Sequence, residues 1–413
     1  MSRAVHLVAS GVARYAGQLA SFALIALVLG PDQAGRYALA LAVTAPVFVV
    51  AGLGLRPVFL TISPRVAARD AETLRAAASG LALGATIVVA AVVADAPTAL
   101  LVSVVAASKA VDTFAELWSA FLQVTGRHRR LSASTAVATA AQVAAVGAAL
   151  AGGAGVSGAV AAGAGAVLLV MVAATRPWGG ADPRLHGSAE RRGSWRRLLA
   201  AGVPAGVASG VATLVTTLPQ YELGRTAAPA DVAELALLLY VVAGVQIVLN
   251  GLAQAWIPEA RRRHETARLG TRHLAATTLR WSVAGVPTAV VGAGLMIVVV
   301  PLVLGPGHAP GAAELVPLVV AASLSAAVFC GTTALTVQNR YTASLGASVA
   351  TVLVAGAVGL VVVPAHGVPG ALWATVAAMA TRVVVAGLLA SRGPEAPTAS
   401  VAGARHRAGG AAA

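Results

Sequence analysis

The sequence predicts an all-α polytopic membrane protein with about twelve transmembrane helices, and three observations support this fold class. Hydrophobic residues make up 58% of the chain and charged residues only 11%, a balance that soluble domains of 413 residues do not show. Apolar stretches long enough to cross a bilayer recur along the whole chain. The basic residues alternate between successive connections in step with those stretches.

Twelve apolar stretches approach the length of about 20 residues that a membrane-spanning helix needs. The predicted spans of the first half are 7–29, 37–56, 77–94, 98–123, 131–151 and 157–174. Those of the second half are 198–219, 233–255, 274–303, 311–337, 342–363 and 369–391. The first stretch is too long for a cleaved signal peptide and contains Arg14, so we count it as a span.

The basic residues also predict an orientation. With the N-terminus inside and the sides alternating at each span, 23 of the 29 Lys and Arg residues fall in inside connections, counting Arg56 at the inside end of the second span. The six exceptions are Arg36 and Arg225 outside, and Arg14, Lys109, Arg280 and Arg382 within spans. The positive-inside rule therefore predicts a multi-pass protein of the inner (plasma) membrane with both termini cytoplasmic.

A basic linker at 176–197 divides the chain into two lobes of six spans each, 1–175 and 198–391, followed by a tail. The tail, 392–413, is rich in Ala, Gly and Pro and is predicted to be disordered. Similar short segments recur in the same order in both lobes. The matched pairs are Gly30-Pro31 with Gly224-Arg225, Ser63-Pro64 with Ile257-Pro258, and Gly155-Val156 with Gly367-Val368. Six spans per lobe give both lobes one orientation, which predicts a parallel repeat about an axis along the membrane normal.

Several function classes are disfavoured by composition and motifs. The sequence pI is about 11.5, but the positive charge lies beside spans and aromatic residues are only 4%, so nucleic acid is not an expected partner. The single cysteine, Cys330, lies within a predicted span, and no histidines pair at metal-ligand spacing. With no Walker A motif and no paired catalytic carboxylates in the loops, we expect neither an enzyme nor a bound metal or cofactor.

Three charges on the fourth span are candidate site residues. Lys109, Asp112 and Glu116 are spaced by three and four residues and therefore share one helical face. Such charges are costly in lipid and should face protein or water. Two interpretations remain open. The three residues form a self-neutralising ladder that holds the packing, or they line a cavity in which Lys109 meets an anionic headgroup and a carboxylate titrates with an ion or proton.

Further polar residues within spans extend the candidate set. Arg14 and Arg382 lie deep enough to form a basic cavity suited to a pyrophosphate, whereas Arg280 is interpreted mainly as a residue that snorkels to the interface. Amide side chains are candidates for sugar contacts, with interhelical hydrogen bonding as the alternative. These are Gln18, Gln142, Gln246 and Asn250.

The run Leu29-Gly30-Pro31 with Gly35 and Tyr37 resembles the first outside turn of bacterial oligosaccharide flippases, which typically contains Leu-Gly-Pro-x-x-x-Gly-x-Tyr. These flippases form the polysaccharide-transporter branch of the multidrug/oligosaccharidyl-lipid/polysaccharide exporter superfamily. The segment 239–261 resembles their eighth span, and Leu304-Gly305-Pro306 resembles the turn after their ninth.

The resemblance implies a two-lobe flippase that moves a polyprenyl-(pyro)phosphate-linked oligosaccharide from the cytoplasmic to the outer leaflet by alternating access. It implies a lipid-linked glycan, membrane lipids and glycan-assembly enzymes as partners, and a proton or sodium gradient as a source of energy. The chain departs from the family in having a single lysine and a composition rich in Ala, Val and Gly. The alternative is a drug or cation antiporter of similar architecture. A major-facilitator protein would carry a Gly-x-x-x-Asp-Arg-x-Gly-Arg loop, which 63–75 lacks.

Overall fold

A computed structural model describes residues 3–56, 58, 67–179, 194–266, 271–338 and 340–392. All regular secondary structure in these ranges is helical. Most of the predicted linker and nearly all of the predicted tail lie outside the described residues.

The helices of the first lobe are α1 (Arg3–Leu29), α2 (Pro31–Ala51), α3 (Ala68–Val93), α4 (Ala96–Val124), α5 (His128–Ala151) and α6 (Val156–Gly179). Those of the second are α7 (Ser194–Thr226), α8 (Pro229–Thr266), α9 (Thr271–Leu304), α10 (Ala312–Val337) and α11 (Tyr341–Ser391). A 3-10 turn, Pro306–His308, connects α9 to α10.

Eleven helices of the described chain are long and apolar enough to cross a membrane, and the last contains two of the predicted spans. Within α11, Gly367 has non-helical dihedral angles (φ 58°, ψ −131°) and separates 341–366 from 368–391. This break falls between predicted spans eleven and twelve. The prediction of an all-helical fold with about twelve crossings is therefore confirmed.

The third span begins earlier than hydropathy predicts. The sequence places its start at residue 77, but α3 begins at Ala68, so Arg75 belongs to the helix and is almost fully buried. Asp70 lies in the first turn, where a carboxylate interacts favourably with the helix dipole. Charges at a helix start lower the local hydropathy without preventing helix formation, which explains the error.

The two Leu-Gly-Pro turns have a common physical basis. Gly30 and Gly305 have φ values of 87° and 101°, which disfavour residues with a Cβ, and each precedes a proline at the first helical position. Gly224, in contrast, lies inside α7, where an added Cβ would lie 3.2 Å from Leu39 Cδ1. The sequence match of Gly30 with Gly224 therefore does not correspond to a shared turn.

The lobes meet through α1 and α2 on one side and α7 and α8 on the other. Glycines at 202, 206 and 210 bring α7 close to α2. A Cβ on Gly206 would lie 2.8 Å from Leu53 Cα, and one on Gly210 would overlap Val50 Cγ2. The interpretation of this stripe as a close-packing surface is consistent with these distances.

A proline-dependent hydrogen bond also joins the lobes. Pro46 lies inside α2 and has no N–H, so the carbonyl of Ala42 lacks its intrahelical donor. Tyr221 of α7 donates its hydroxyl to that carbonyl at 2.6 Å. The kink-forming proline of one lobe thus creates an acceptor that the other lobe satisfies.

Candidate polar site in the N-terminal lobe

Four charged side chains form a continuous ionic cluster between α1 and α4. Arg14 Nη1 donates to Glu116 Oε1 at 3.1 Å, and Arg14 Nη2 lies 3.5 Å from Asp112 Oδ1. The other carboxylate oxygen of Asp112 accepts from Lys109 Nζ at 3.2 Å. The shared face of Lys109, Asp112 and Glu116 is therefore present, and Arg14 joins it from a different helix.

The ionic cluster is partly open. The side chains of Lys109 and Asp112 retain 21% and 23% exposure, Arg14 retains 32% and Glu116 retains 44%. Two cations and two anions neutralise one another, which agrees with the ladder interpretation, while the exposed edge at Glu116 agrees with a cavity wall. Both interpretations of the sequence stay compatible with this geometry.

Helix α1 links the ionic cluster to the interface between the lobes. Arg14 contacts α4, and the next residue, Tyr15, packs its ring 5.1 Å from Tyr240 of α8. Tyr240 lies 6.1 Å from Phe22, which in turn stacks on Tyr37 of α2 at 6.1 Å. A shift of α1 against α4 would therefore be transmitted directly to an aromatic contact between the lobes.

Two further arginines lie in the electrostatic field of Glu116, and the sequence had assigned both to the cytoplasmic side of the second and third spans. Arg56 follows α2 and donates from Nη2 to Gln123 Oε1 at 3.4 Å. Arg75 of α3 is only 1% exposed, and its Nε and Nη1 have no hydrogen-bond partner among the described residues. Two unpartnered guanidinium nitrogens in a buried position are energetically costly.

One structural role for Arg75 is visible. A Cβ on Gly52, the residue that caps the C-terminal end of α2, would lie 3.1 Å from Arg75 Nη1. The guanidinium therefore faces the C-terminal end of α2, where the helix dipole favours a cation. This contact provides favourable electrostatics but leaves those two nitrogens without acceptors.

The other predicted arginines do not join the ionic cluster. Arg382 lies on the second part of α11, is half-buried, and its Nε has no hydrogen-bond partner in the described structure. Arg280 is exposed on α9, as expected for a residue that snorkels. The ionic cluster therefore does not include Arg382, which the sequence had grouped with Arg14.

The three predicted glutamines show no interhelical hydrogen bonds to the residues that the structure describes. Gln18, Gln142 and Gln246 are half-buried, and none makes a hydrogen bond to the described part of the chain. Gln142 instead packs its Cγ beside Gly163 of α6, where an added Cβ would be 3.3 Å away. The side chain of Asn250 lies outside what the structure describes.

Comparison with known proteins shows that the fold of this chain is similar to that of solved transporters. No protein-family model matches the sequence, and no curated protein matches it. The inward-facing structure of a multidrug resistance MATE family transporter of the MOP superfamily aligns with a TM-score of 0.62 at 13% identity, covering 95% of this chain and 98% of that one. The lipid II flippase MurJ in its inward closed conformation gives 0.67 at 12% identity, covering 92% and 86%.

The eukaryotic MATE transporter AtDTX14 gives a TM-score of 0.65 at 11% identity, with 93% of both chains covered. Identities of this size establish a shared fold and leave activity open. The chain thus has the two-lobe, twelve-helix fold found in both drug transporters and a lipid flippase of this superfamily.

Proposed function

We propose that this protein is a flippase that moves a polyprenyl-(pyro)phosphate-linked oligosaccharide from the cytoplasmic to the outer leaflet by alternating access. The observation that carries the proposal is a surplus of positive charge around the ionic cluster. Arg14 and Lys109 are balanced by Asp112 and Glu116, whereas Arg56 and Arg75 have no carboxylate within ion-pairing distance in the described chain.

A pyrophosphate fits this surplus chemically. Guanidinium groups bind phosphate oxygens through two parallel hydrogen bonds, and such charge-assisted bonds are stronger inside a low-dielectric cavity. Arg75 retains two unpartnered nitrogens, which are buried in this conformation and would have to become accessible for the substrate to bind. A neutral or cationic substrate would leave that guanidinium uncompensated.

The position of α1 supports alternating access. One side of this helix carries Arg14 and faces α4, and the adjacent residue packs against the other lobe. An anion that binds the surplus arginines competes with Glu116 for Arg14. We expect this competition to change how α1 sits between the lobes and to couple binding to their relative movement.

The test uses Arg75→Met in full-length protein reconstituted into liposomes with a lipid-linked oligosaccharide. Replacing an unpartnered buried charge by an apolar side chain of similar length should leave the melting temperature unchanged or raised. Transport per folded molecule should fall at least tenfold, roughly the 1.4 kcal/mol of one charge-assisted contact. Arg75→Lys should restore it only partly, because lysine cannot form the bidentate contact.

Arg280→Met is the matched control, since Arg280 is an exposed arginine of the other lobe. It should transport at the normal rate. Normal transport by Arg75→Met would contradict the proposal and limit Arg75 to its contact with the end of α2.

The second candidate function is drug or cation antiport, which is favoured by the exposed edge of the ionic cluster. Glu116 is 44% exposed and Asp112 lies beside it, so a proton or cation could exchange with Arg14 for these carboxylates. Efflux of a cationic dye from the same liposomes, driven by a proton or sodium gradient, distinguishes the two functions. Dye efflux that requires Glu116 but is unaffected by Arg75→Met would support antiport.

The proposal also requires a cytoplasmic linker, with both termini on that side, and it places glycan-assembly enzymes near the inner face. A Ser188→Cys substitution in a Cys330→Ala background tests the orientation. We expect no reaction with a membrane-impermeant thiol reagent in intact cells, because the basic linker opposes translocation. Labelling in intact cells would reverse the predicted topology.

A further inference from the structure

A second cluster of ligand-type side chains lies at one end of the C-terminal lobe. Asp231 and Glu234 belong to the first turns of α8, and His308 ends the 3-10 turn after α9. One ligand atom from each side chain lies within 4.8 Å of the other two. Local sequence spacing did not predict this metal-type arrangement, because 74 residues separate Glu234 from His308.

The local backbone explains why these three side chains lie close together. Asp231 and Glu234 are three residues apart on a helix, so their side chains lie on the same face. The positive φ of Gly305 turns the chain at the end of α9 and directs His308 towards that face. His308 Nδ1 then lies 3.0 Å from Glu234 Oε2.

The cluster is largely enclosed at Glu234 and His308 and has excess negative charge. The side chains of Glu234 and His308 are only 12% and 23% exposed. Glu314 is close enough to repel Glu234, and no lysine or arginine pairs with any of these carboxylates within the described ranges. Asp231 and Glu314 each accept one backbone N–H, from Ala228 and Gly311, and retain a second oxygen. One imidazole therefore lies beside the carboxylates of Asp231 and Glu234, with the third carboxylate, Glu314, adding negative charge near Glu234.

We propose that Asp231, Glu234 and His308 bind a divalent transition-metal ion such as Zn²⁺, with water completing the coordination. Metal–nitrogen and metal–oxygen bonds of about 2.0–2.2 Å place neighbouring ligand atoms about 3 Å apart. The distance from His308 Nδ1 to Glu234 Oε2 already has this value. A mixture of imidazole and carboxylate ligands favours first-row transition metals over Mg²⁺ or Ca²⁺.

The bound ion would link the N-terminal end of α8 to the turn between α9 and α10. This end of α8 also meets the other lobe, because a Cβ on Gly35 of α2 would overlap the Pro229 carbonyl. Metal binding should therefore stabilise the lobe at a point of contact between lobes. The proposal is independent of the transported substrate.

The test titrates metal-free, full-length protein in detergent with Zn²⁺ against a chromophoric chelator, and records thermal unfolding in parallel. We expect one saturable site per chain and a rise in melting temperature with Zn²⁺, since a ligand that binds only the folded state stabilises it. Co²⁺ in place of Zn²⁺ should give visible absorption bands with the same stoichiometry.

Two variants and one control locate the site. His308→Gln keeps an N–H donor for Glu234 but removes the imidazole, and Asp231→Asn keeps an acceptor for the Ala228 N–H but removes the carboxylate. Each should weaken Zn²⁺ binding at least tenfold, and the use of two variants guards against one failing to fold. His366→Gln changes an exposed histidine beside the Gly367 break and should bind normally.

Absence of saturable binding by the wild type would overturn the proposal. So would unchanged affinity in a folded His308→Gln or Asp231→Asn protein. Either result would reduce the cluster to a histidine–carboxylate hydrogen bond that holds the turn.

Discussion

The two lobes are built differently at membrane depth. The N-terminal lobe places two cations and two carboxylates between α1 and α4, with Arg56 and Arg75 nearby. The C-terminal lobe fills its centre with apolar side chains of α8 and α10, such as the fully buried Leu237, Leu238 and Leu318. Among the described residues of this lobe, the ion pair of Glu222 with Arg225 and the hydrogen-bonded pair of Glu234 with His308 lie near the connection between α7 and α8.

This difference indicates a division of labour. A lobe with exposed charge can bind a polar group and change its own charge pairing, whereas an apolar, close-packed lobe resists deformation. The two meet where Tyr15 packs on Tyr240 and where Tyr221 bonds to Ala42. Under the proposed function, we therefore expect the first lobe to contact the substrate and the second to provide mechanical support.

The largest effect on stability is expected from breaking the ionic cluster at its centre. Asp112→Ala leaves Arg14 and Lys109 without their shared carboxylate and should cost about 3 kcal/mol of unfolding free energy, the lower end for a buried pair because these side chains are partly exposed. Chemical denaturation in mixed micelles measures this cost.

Replacing all four charged residues of the ionic cluster by Leu or Met distinguishes the ladder interpretation from the cavity interpretation. Stability should recover, because no charge is stranded. If the cluster lines the transport path, the quadruple variant is stable and inactive, which is the outcome we expect. A fully active quadruple variant would reduce the cluster to packing and remove the proposed difference between the lobes.

A smaller effect is expected in the apolar lobe. Leu238→Ala opens a cavity in the core, and we expect a cost of about 2 kcal/mol. This is the low end for such a change, because lipid removes much of the hydrophobic driving force. The amount of folded protein should fall while transport per folded molecule stays near normal. Leu353→Ala, at an exposed position of α11, is the control for stability.

A reduced rate per folded Leu238→Ala molecule would indicate that the C-terminal lobe contributes to the transport step itself. That result would contradict the proposal that the second lobe provides only mechanical support.

The smallest effect is expected at the hydrogen bond between the lobes. Tyr221→Phe leaves the buried carbonyl of Ala42 without a donor and should cost about 1 kcal/mol. In a Pro46→Ala background the helix supplies its own N–H to that carbonyl, so the same change should cost less. A double-mutant cycle of unfolding free energies measures the coupling. Equal costs in both backgrounds would mean that Pro46 does not create the acceptor.

Local patterns of the sequence predicted most of the fold. Hydropathy located the spans, the Leu-Gly-Pro runs located two turns with positive φ at glycine, and the 109/112/116 spacing placed three charges on one face. Hydropathy failed at the start of α3, where averaging over charged residues concealed a buried Arg75. The orientation and the boundaries of the lobes stay predictions from charge and repeat patterns.

The sequence by itself determined the helices, their turns and the shared face of the fourth span, because these depend on residues within one or two helical turns. Only the tertiary structure decided which helices face each other. In the folded chain, Arg14 pairs with Glu116, which is 102 residues away, and His308 contacts Glu234. Arg382 lies outside the ionic cluster. Ion pairs and ligand sets require side chains from distant segments to meet within about 3–4 Å, and no local period in a sequence encodes that meeting.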